Sequence, residues 1–314
     1  MPLDPQMKAM VDQMVAAGQP PVFAEIGAEA AKAVSDQSAL MMGTGPTMAR
    51  EEEFTVDGAD GHRMRARLYV AGERASALLV FFHGGGWVVG SIEGYDPALR
   101  RFARASGCAI LSVDYRLAPE FRFPTAPQDC YAALCWAAAH RSELGLPADL
   151  PLVVGGDSAG GNLTAVVSLM ARDRGEPALA AQLLIYPATD CDFETPSYRE
   201  FTTNLPLTSS TMQWFWEQYE PDPARRRHPH ASPLRADDHA GLPPALLILA
   251  GYDPLLSDGQ AYGRTLEAAG NRVTTLIWDG LTHGFFQFAE VLEPAGQAND
   301  EIAAALTGML GVGC

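Results

Sequence analysis

Residues 150–162 read Leu150-Pro151-Leu152-Val153-Val154-Gly155-Gly156-Asp157-Ser158-Ala159-Gly160-Gly161-Asn162. An apolar run ends at Val154, a G-x-S-x-G pentapeptide spans Gly156 to Gly160, and a helical pattern continues from Ala159 to Arg174. Strand, tight turn and helix in immediate succession make a βα unit with a serine at its corner. Such a corner strains the serine backbone and lifts its hydroxyl above the sheet, and the flanking glycines let the turn pack closely. The N-terminus of the helix behind it favours developing negative charge. Composition alone produces this pentapeptide about 0.13 times in a chain of this length, so its placement carries the reading more than its occurrence.

Outward from the corner the same alternation repeats. Continuous apolar runs at Ala77 to Phe82, Ala109 to Val113, Gln182 to Tyr186, Ala245 to Ala250 and Val273 to Trp278 suit strands buried on both faces. Helical stretches at Asp96 to Ser106, Gln128 to His140, Gln260 to Ala269 and Asp300 to Leu310 fall between and after them. Glu52 to Val56 and Arg63 to Val70 alternate with a period of two around Asp57 to Gly61, which predicts an exposed hairpin at a sheet edge. The fold class is α/β, a mostly parallel eight-stranded sheet with helices on both faces.

Two regions break the pattern. Residues 1–48 are helical in period and hold seven of the eleven methionines, with Met7, Met10 and Met14 on one stripe. The plain reading is a packed apolar stripe; the sharper one is an adaptable methionine surface lining a pocket for flexible apolar ligands. Between Tyr186 and Ala245 the alternation lapses around Pro187, Pro196, Pro206, Pro221 and Pro223 and an aromatic helix at Trp214, Phe215, Trp216 and Tyr219. A structureless loop of that length does not suit a compact domain, so an inserted subdomain or lid is expected. Its Arg225-Arg226-Arg227 run reads as a solvated hinge, with an anion site as the alternative. The expected division is a cap from 1–48 and 188–235 over a catalytic domain from 49–187 and 236–314.

His83-Gly84-Gly85-Gly86-Trp87 follows the Ala77 to Phe82 run. Chance supplies about 0.006 such H-G-G-G strings. Bare glycine amides can approach a carbonyl oxygen without a Cβ in the way, which stabilising a tetrahedral oxyanion requires. A plain glycine turn is the structural alternative, and a dinucleotide loop fails because no G-x-G-x-x-G opens the unit. A serine nucleophile needs a base, and the base an orienting acid. His283 directly follows the last strand, while His62, His83, His140, His228, His230 and His239 lie in loops, a helix end or the insertion. Asp253 follows the Ala245 to Ala250 run, with Asp258 as the second choice. Ser158, Asp253 and His283 thus each lie just beyond a strand's C-terminal end, in the order Ser, Asp, His.

Composition limits partners rather than substrates. At 47% hydrophobic and 19% charged the 314 residues describe a globular chain, and 38 acidic against 22 basic residues give a net charge of −16. That surface repels phosphate backbones and anionic lipid, so neither nucleic acid nor membrane is an expected partner. The stretch Ala75 to Ile92 carries no charged residue, yet His83 and three glycines at its centre exclude a lipid-facing helix. The N-terminus shows no basic region followed by an apolar run, so a cytoplasmic location is expected. Cys108, Cys130, Cys135, Cys191 and Cys314 show no metal spacing and read as reduced, mostly buried residues; no metal or cofactor is expected.

The His83 to Trp87 motif, Asp114-Tyr115-Arg116-Leu117-Ala118-Pro119-Glu120, Gly156 to Asn162, Ser232-Pro233-Leu234, Leu242-Pro243-Pro244 and the Asp253 and His283 motifs together resemble the bacterial hormone-sensitive-lipase-like esterases, also called family IV. The resemblance implies an α/β-hydrolase fold with a helical cap and cofactor-free carboxylesterase activity on small esters of short or medium acyl chain. It implies Ser158 as nucleophile, His283 as base and then acid, Asp253 as its orienter, and the N–H groups of Gly84, Gly85 and Ala159 as oxyanion hole. Trp87, Asn162, Leu207 and Trp214 are candidate pocket walls, with core packing as the alternative for each. An amidase or arylformamidase would use the same triad, and a non-catalytic receptor on this fold would typically lack the base. A homodimer stays open. Two positions depart from the family pattern: Tyr95-Asp96 stands where His-Asp is usual, altering the brace of the oxyanion loop, and Leu256-Ser257-Asp258 replaces the usual Arg-Asp-Glu.

Overall fold

The apolar runs pair into one sheet. Its strands are β1 (Arg50–Asp57), β2 (Arg63–Val70), β3 (Leu78–Phe82), β4 (Ala109–Val113), β5 (Leu152–Asp157), β6 (Ala181–Ile185), β7 (Ala245–Tyr252) and β8 (Val273–Thr282), in the spatial order β1-β2-β4-β3-β5-β6-β7-β8. The computed structural model describes residues 2–18 and 21–311, so Cys314 lies outside the described residues. Only β2 runs against its neighbours; every other pair is parallel. The β1–β2 hairpin, in register from Arg50 opposite Val70 to Asp57 opposite Arg63, forms one edge.

Ten helices are assigned among the described residues: α1 (Pro5–Ala16), α2 (Phe23–Ala39), α3 (Ile92–Ser106), α4 (Thr125–Ala139), α5 (Ala159–Arg174), α6 (Pro196–Glu200), α7 (Ser209–Tyr219), α8 (Pro223–Arg226), α9 (Leu256–Ala268) and α10 (Glu293–Leu310). Alternate residues of the strands feed opposite faces. Leu78, Val80 and Phe82 pack with α4, α5 and α7, while Leu79 and Phe81 pack with α3 and α10. Helix α5 is buried from Ala159 to Ala171, as expected of the central crossover.

Three expectations change. Val273 to Trp278 forms the outer strand rather than one buried on both faces: β8 alternates in exposure, and Ile277 is 45% exposed. Helix α10 starts at Glu293 rather than Asp300, because Pro294 fits the first turn, where no N–H is missed. The N-terminal segment divides. Met7 and Val11 of α1 are buried in the cluster shared with Leu281, Phe285 and Ile302, and Asp4 N donates to Gly280 O at 2.9 Å. Met7 of the methionine stripe is therefore core packing, with Met10 half-buried against the same cluster, and Met7 Sδ accepts from Thr282 Oγ1 at 3.3 Å. Helix α2, kinked at Gly27, instead meets α7 through Phe23.

Candidate active site

The nucleophile corner is built by close backbone contact. Ser158 takes φ 56° and ψ −118°, a strained conformation for a residue with a Cβ. Its N–H donates to Ile185 O at 2.8 Å, and its carbonyl accepts from Asn162 N at 2.9 Å and Ala188 N at 3.3 Å, so β6 and α5 hold the turn from both sides. A Cβ on Gly160 would stand 1.9 Å from Phe82 O; only glycine lets the elbow sit on the end of β3.

The ends of β5, β7 and β8 bring three side chains together. His283 Nε2 lies 2.9 Å from Ser158 Oγ, and His283 Nδ1 lies 2.7 Å from Asp253 Oδ2. Asp253 is fully buried and its other oxygen accepts from Leu255 N at 2.8 Å, leaving the carboxylate fixed at both oxygens. Asp258 does not compete. It accepts from Asp190 N at 3.4 Å, and burial pushes its carboxyl well above the usual range. Ser158 and His283 keep 6% and 8% exposure, so the centre opens to solvent only narrowly.

The glycine loop corrects one expectation. Gly84 N–H donates to Asp157 Oδ1 at 2.8 Å and to Tyr95 Oη at 2.9 Å, and is therefore spent. The N–H groups of Gly85 and Gly86 have no hydrogen-bond partner among the described residues, and Ala159, first residue of α5, has no intrahelical acceptor. The available donors are thus Gly85, Gly86 and Ala159. His83 braces the loop from beneath: Nδ1 lies 2.7 Å from Gly84 O, the ring stacks on Tyr115 at 4.5 Å, and Tyr115 Oη donates to His83 O at 2.7 Å. Burial pushes the His83 imidazole below its ordinary pKa.

Two candidate pocket walls are internal braces. Trp87 is fully buried, stacked on Tyr219 at 4.3 Å, because its indole joins the floor to α7. Asn162 is fully buried and donates from Nδ2 to Ala188 O and Ala231 O, both at 2.8 Å, tying α5 to the two ends of the insertion. Leu207 and Trp214 retain 7% exposure each in the apolar cluster that includes Phe215 and Trp216 of α7. Phe215, read from sequence only as part of the aromatic helix, lies against the loop, since a Cβ on Gly86 would lie 2.1 Å from its ring. In the arginine run, Arg225 pairs with Glu220 at 3.3 Å and Arg226 donates to Glu220 O at 2.7 Å, an internal tie of the insertion.

The chain is similar to known esterases. The family model described as alpha/beta hydrolase fold matches residues 79–287. A carboxylic ester hydrolase of Mycobacterium tuberculosis is 40% identical over 81% of this chain and 69% of its own length, and an ethyl acetate hydrolase of Pseudomonas putida is 35% identical over 98% and 99%. The solved structure of a hyperthermophilic esterase from Pyrobaculum calidifontis superposes with a TM-score of 0.90 at 38% identity, covering 98% of this chain and 99% of that one. With its eight-stranded sheet, its serine elbow and the family model spanning two thirds of its length, this chain belongs to the α/β hydrolase fold family, in the hormone-sensitive-lipase-like branch that its motifs indicate.

Proposed function

We propose that this protein is a carboxylesterase that hydrolyses small esters of short to medium acyl chain through an acyl-enzyme on Ser158. The observation that carries the reading is the unbroken run of hydrogen bonds Asp253–His283–Ser158, at 2.7 and 2.9 Å, beside a loop with unspent N–H donors. His283 Nε2 takes the Ser158 proton as Oγ adds to the ester carbonyl, and Asp253 stabilises the imidazolium formed. The oxyanion rests on Gly85, Gly86 and Ala159 N–H. Collapse expels the alcohol, protonated by His283. Water then attacks the acyl-enzyme with His283 as base, releasing the carboxylate and restoring the serine hydroxyl. The chain's own groups supply every step without a cofactor.

The narrow opening and the Phe215 ring against Gly86 support a small substrate, as does the relative named for ethyl acetate. The buried, unpaired Cys108 and Cys130 support a reducing, cytoplasmic setting. No helix among the described residues is long and apolar enough to cross a membrane. The test is a p-nitrophenyl ester series from acetate to laurate, paired with the matching anilides. We expect turnover highest at the short end, ester far above anilide, and a loss of about 10⁴-fold or more in Ser158→Ala. Anilide cleavage at the ester rate would make it an amidase. Activity retained in Ser158→Ala would remove the triad from the account.

A further inference from the structure

A second buried carboxylate stands beside the triad. Asp157 is 2% exposed and accepts three hydrogen bonds: Gly84 N–H on Oδ1 at 2.8 Å, Tyr95 Oη on Oδ2 at 2.9 Å and Tyr186 Oη on Oδ2 at 3.3 Å. Tyr95 also accepts from Gly84 N, so carboxylate and phenol grip the same amide. Tyr186 sits at φ 33°, and its ring lies 4.5 Å from the His283 ring. One carboxylate therefore touches the start of the oxyanion loop and, through one phenol, the face of the catalytic imidazole.

We propose that Asp157 is a positioning residue of the reaction: its carboxylate, with Tyr95 and Tyr186, locks the oxyanion loop and the His283 ring in mutual register. This rests on the ester-hydrolysis reading. The physical case is geometric. Gly84 is spent on Asp157, and that bond fixes the peptide plane from which Gly85 and Gly86 extend. The adjacent N–H groups then face the reacting carbonyl without reorganising as charge develops. A charged acceptor makes the bonds short and directional, and burial keeps water from competing. Tyr95 stands where the family resemblance puts a histidine, so the phenol's share of the brace is a departure from that pattern.

Burial pushes the Asp157 carboxyl up to about 6, opposed by the Tyr95 hydrogen bond and by the nearby His283. The groups facing it are Tyr95 from α3, Tyr115 after β4, Tyr186 after β6 and His283 after β8, with Asp253 beyond Tyr186. A protonated Asp157 no longer offers both oxygens as acceptors, so the register loosens at acid pH.

The test compares wild type, Asp157→Asn and Tyr95→Phe on p-nitrophenyl butyrate, with inhibition by an alkyl trifluoromethyl ketone and its methyl ketone counterpart. The fluorinated ketone adds Ser158 Oγ and forms an oxyanion; the methyl ketone binds without that charge. We expect kcat to fall about 10- to 100-fold in Asp157→Asn and about 3- to 10-fold in Tyr95→Phe, with KM within about threefold. Affinity for the trifluoromethyl ketone should fall in step with kcat, while the methyl ketone is unaffected. Asp157→Asn should remove from the acid limb of kcat/KM the loss that wild type shows as pH falls through about 6. If Asp157→Asn does not fold, Tyr95→Phe carries the same comparison through kcat and the two ketones. Unchanged kcat, a loss confined to KM, or equal loss of affinity for both ketones overturns the proposal. A wild type that neither cleaves the ester nor binds the fluorinated ketone overturns the ester reading with it; a fully active set of variants overturns this inference alone.

Discussion

The floor and the roof of the site are held by different forces. On the floor, directed hydrogen bonds to buried carboxylates fix each group: Asp253 to His283 at 2.7 Å, and Asp157 to Gly84 at 2.8 Å. The roof is aromatic. Phe23 of α2 meets Trp214 and Phe215 of α7 at centroid distances of 5.5 and 5.8 Å, and Trp214 meets Phe215 at 5.3 Å. Ring contacts depend on buried area and tolerate small shifts; a bond to an ionised acceptor weakens steeply when it bends. The floor is thus suited to recognising one transition-state geometry, the roof to accommodating a range of chains.

That contrast is open to attack at its seam, where Phe215 meets Gly86. Gly86→Ala should be the most damaging change here, because φ 59° disfavours a Cβ and the new methyl would drive into the Phe215 ring. Displacement of one oxyanion donor should lower kcat about 100- to 1000-fold. Steady-state kinetics on a short ester give the value, and a kcat within tenfold of wild type would take Gly86 out of the oxyanion hole.

A second break concerns stability. Asp157 is raised from 3.8 to about 6, so the folded chain holds this proton more tightly than the unfolded chain. Its contribution to stability is therefore full at low pH and is lost as pH rises from about 4 through about 6, by up to about 3 kcal/mol. Asp157→Asn removes the titration. Denaturant unfolding of both proteins should show the variant gaining on wild type over that window and a constant difference above about pH 7. A difference independent of pH would mean that Asp157 is not raised in the folded chain.

The smallest expected effect lies in the roof. Trp214→Ala should raise KM about 3- to 10-fold for the longer acyl chains, with kcat within about threefold, because it removes contact area and no reacting group. The ester-length series reads this directly; a loss in kcat with KM unchanged would place α7 in the chemistry.

The same contrast explains how much was legible in sequence. The sheet was readable because buried strands leave continuous apolar runs, and the candidate triad because Ser158, Asp253 and His283 each follow such a run. Backbone direction was not. Nothing in three consecutive glycines tells which N–H points at a neighbouring carboxylate, so Gly84 was indistinguishable from Gly86. Asp157 was hidden as the variable position of the pentapeptide, although a charged residue at the end of a buried strand could have marked it. Trp87 and Asn162 sit in motifs beside the site, yet their role as braces depends on Tyr219, Ala188 and Ala231, brought near only by folding. The edge position of β8 was marked only by Thr274 and Thr275 within its apolar run.

The central claim is that Ser158 carries the acyl group. Rapid quench of the enzyme with p-nitrophenyl acetate, followed by mass spectrometry of the peptides, tests it most directly. A burst of p-nitrophenol stoichiometric with enzyme is expected, with an acetyl adduct on the Ser158 peptide that is absent in Ser158→Ala. Turnover with no adduct there, or an adduct on another residue, would contradict it.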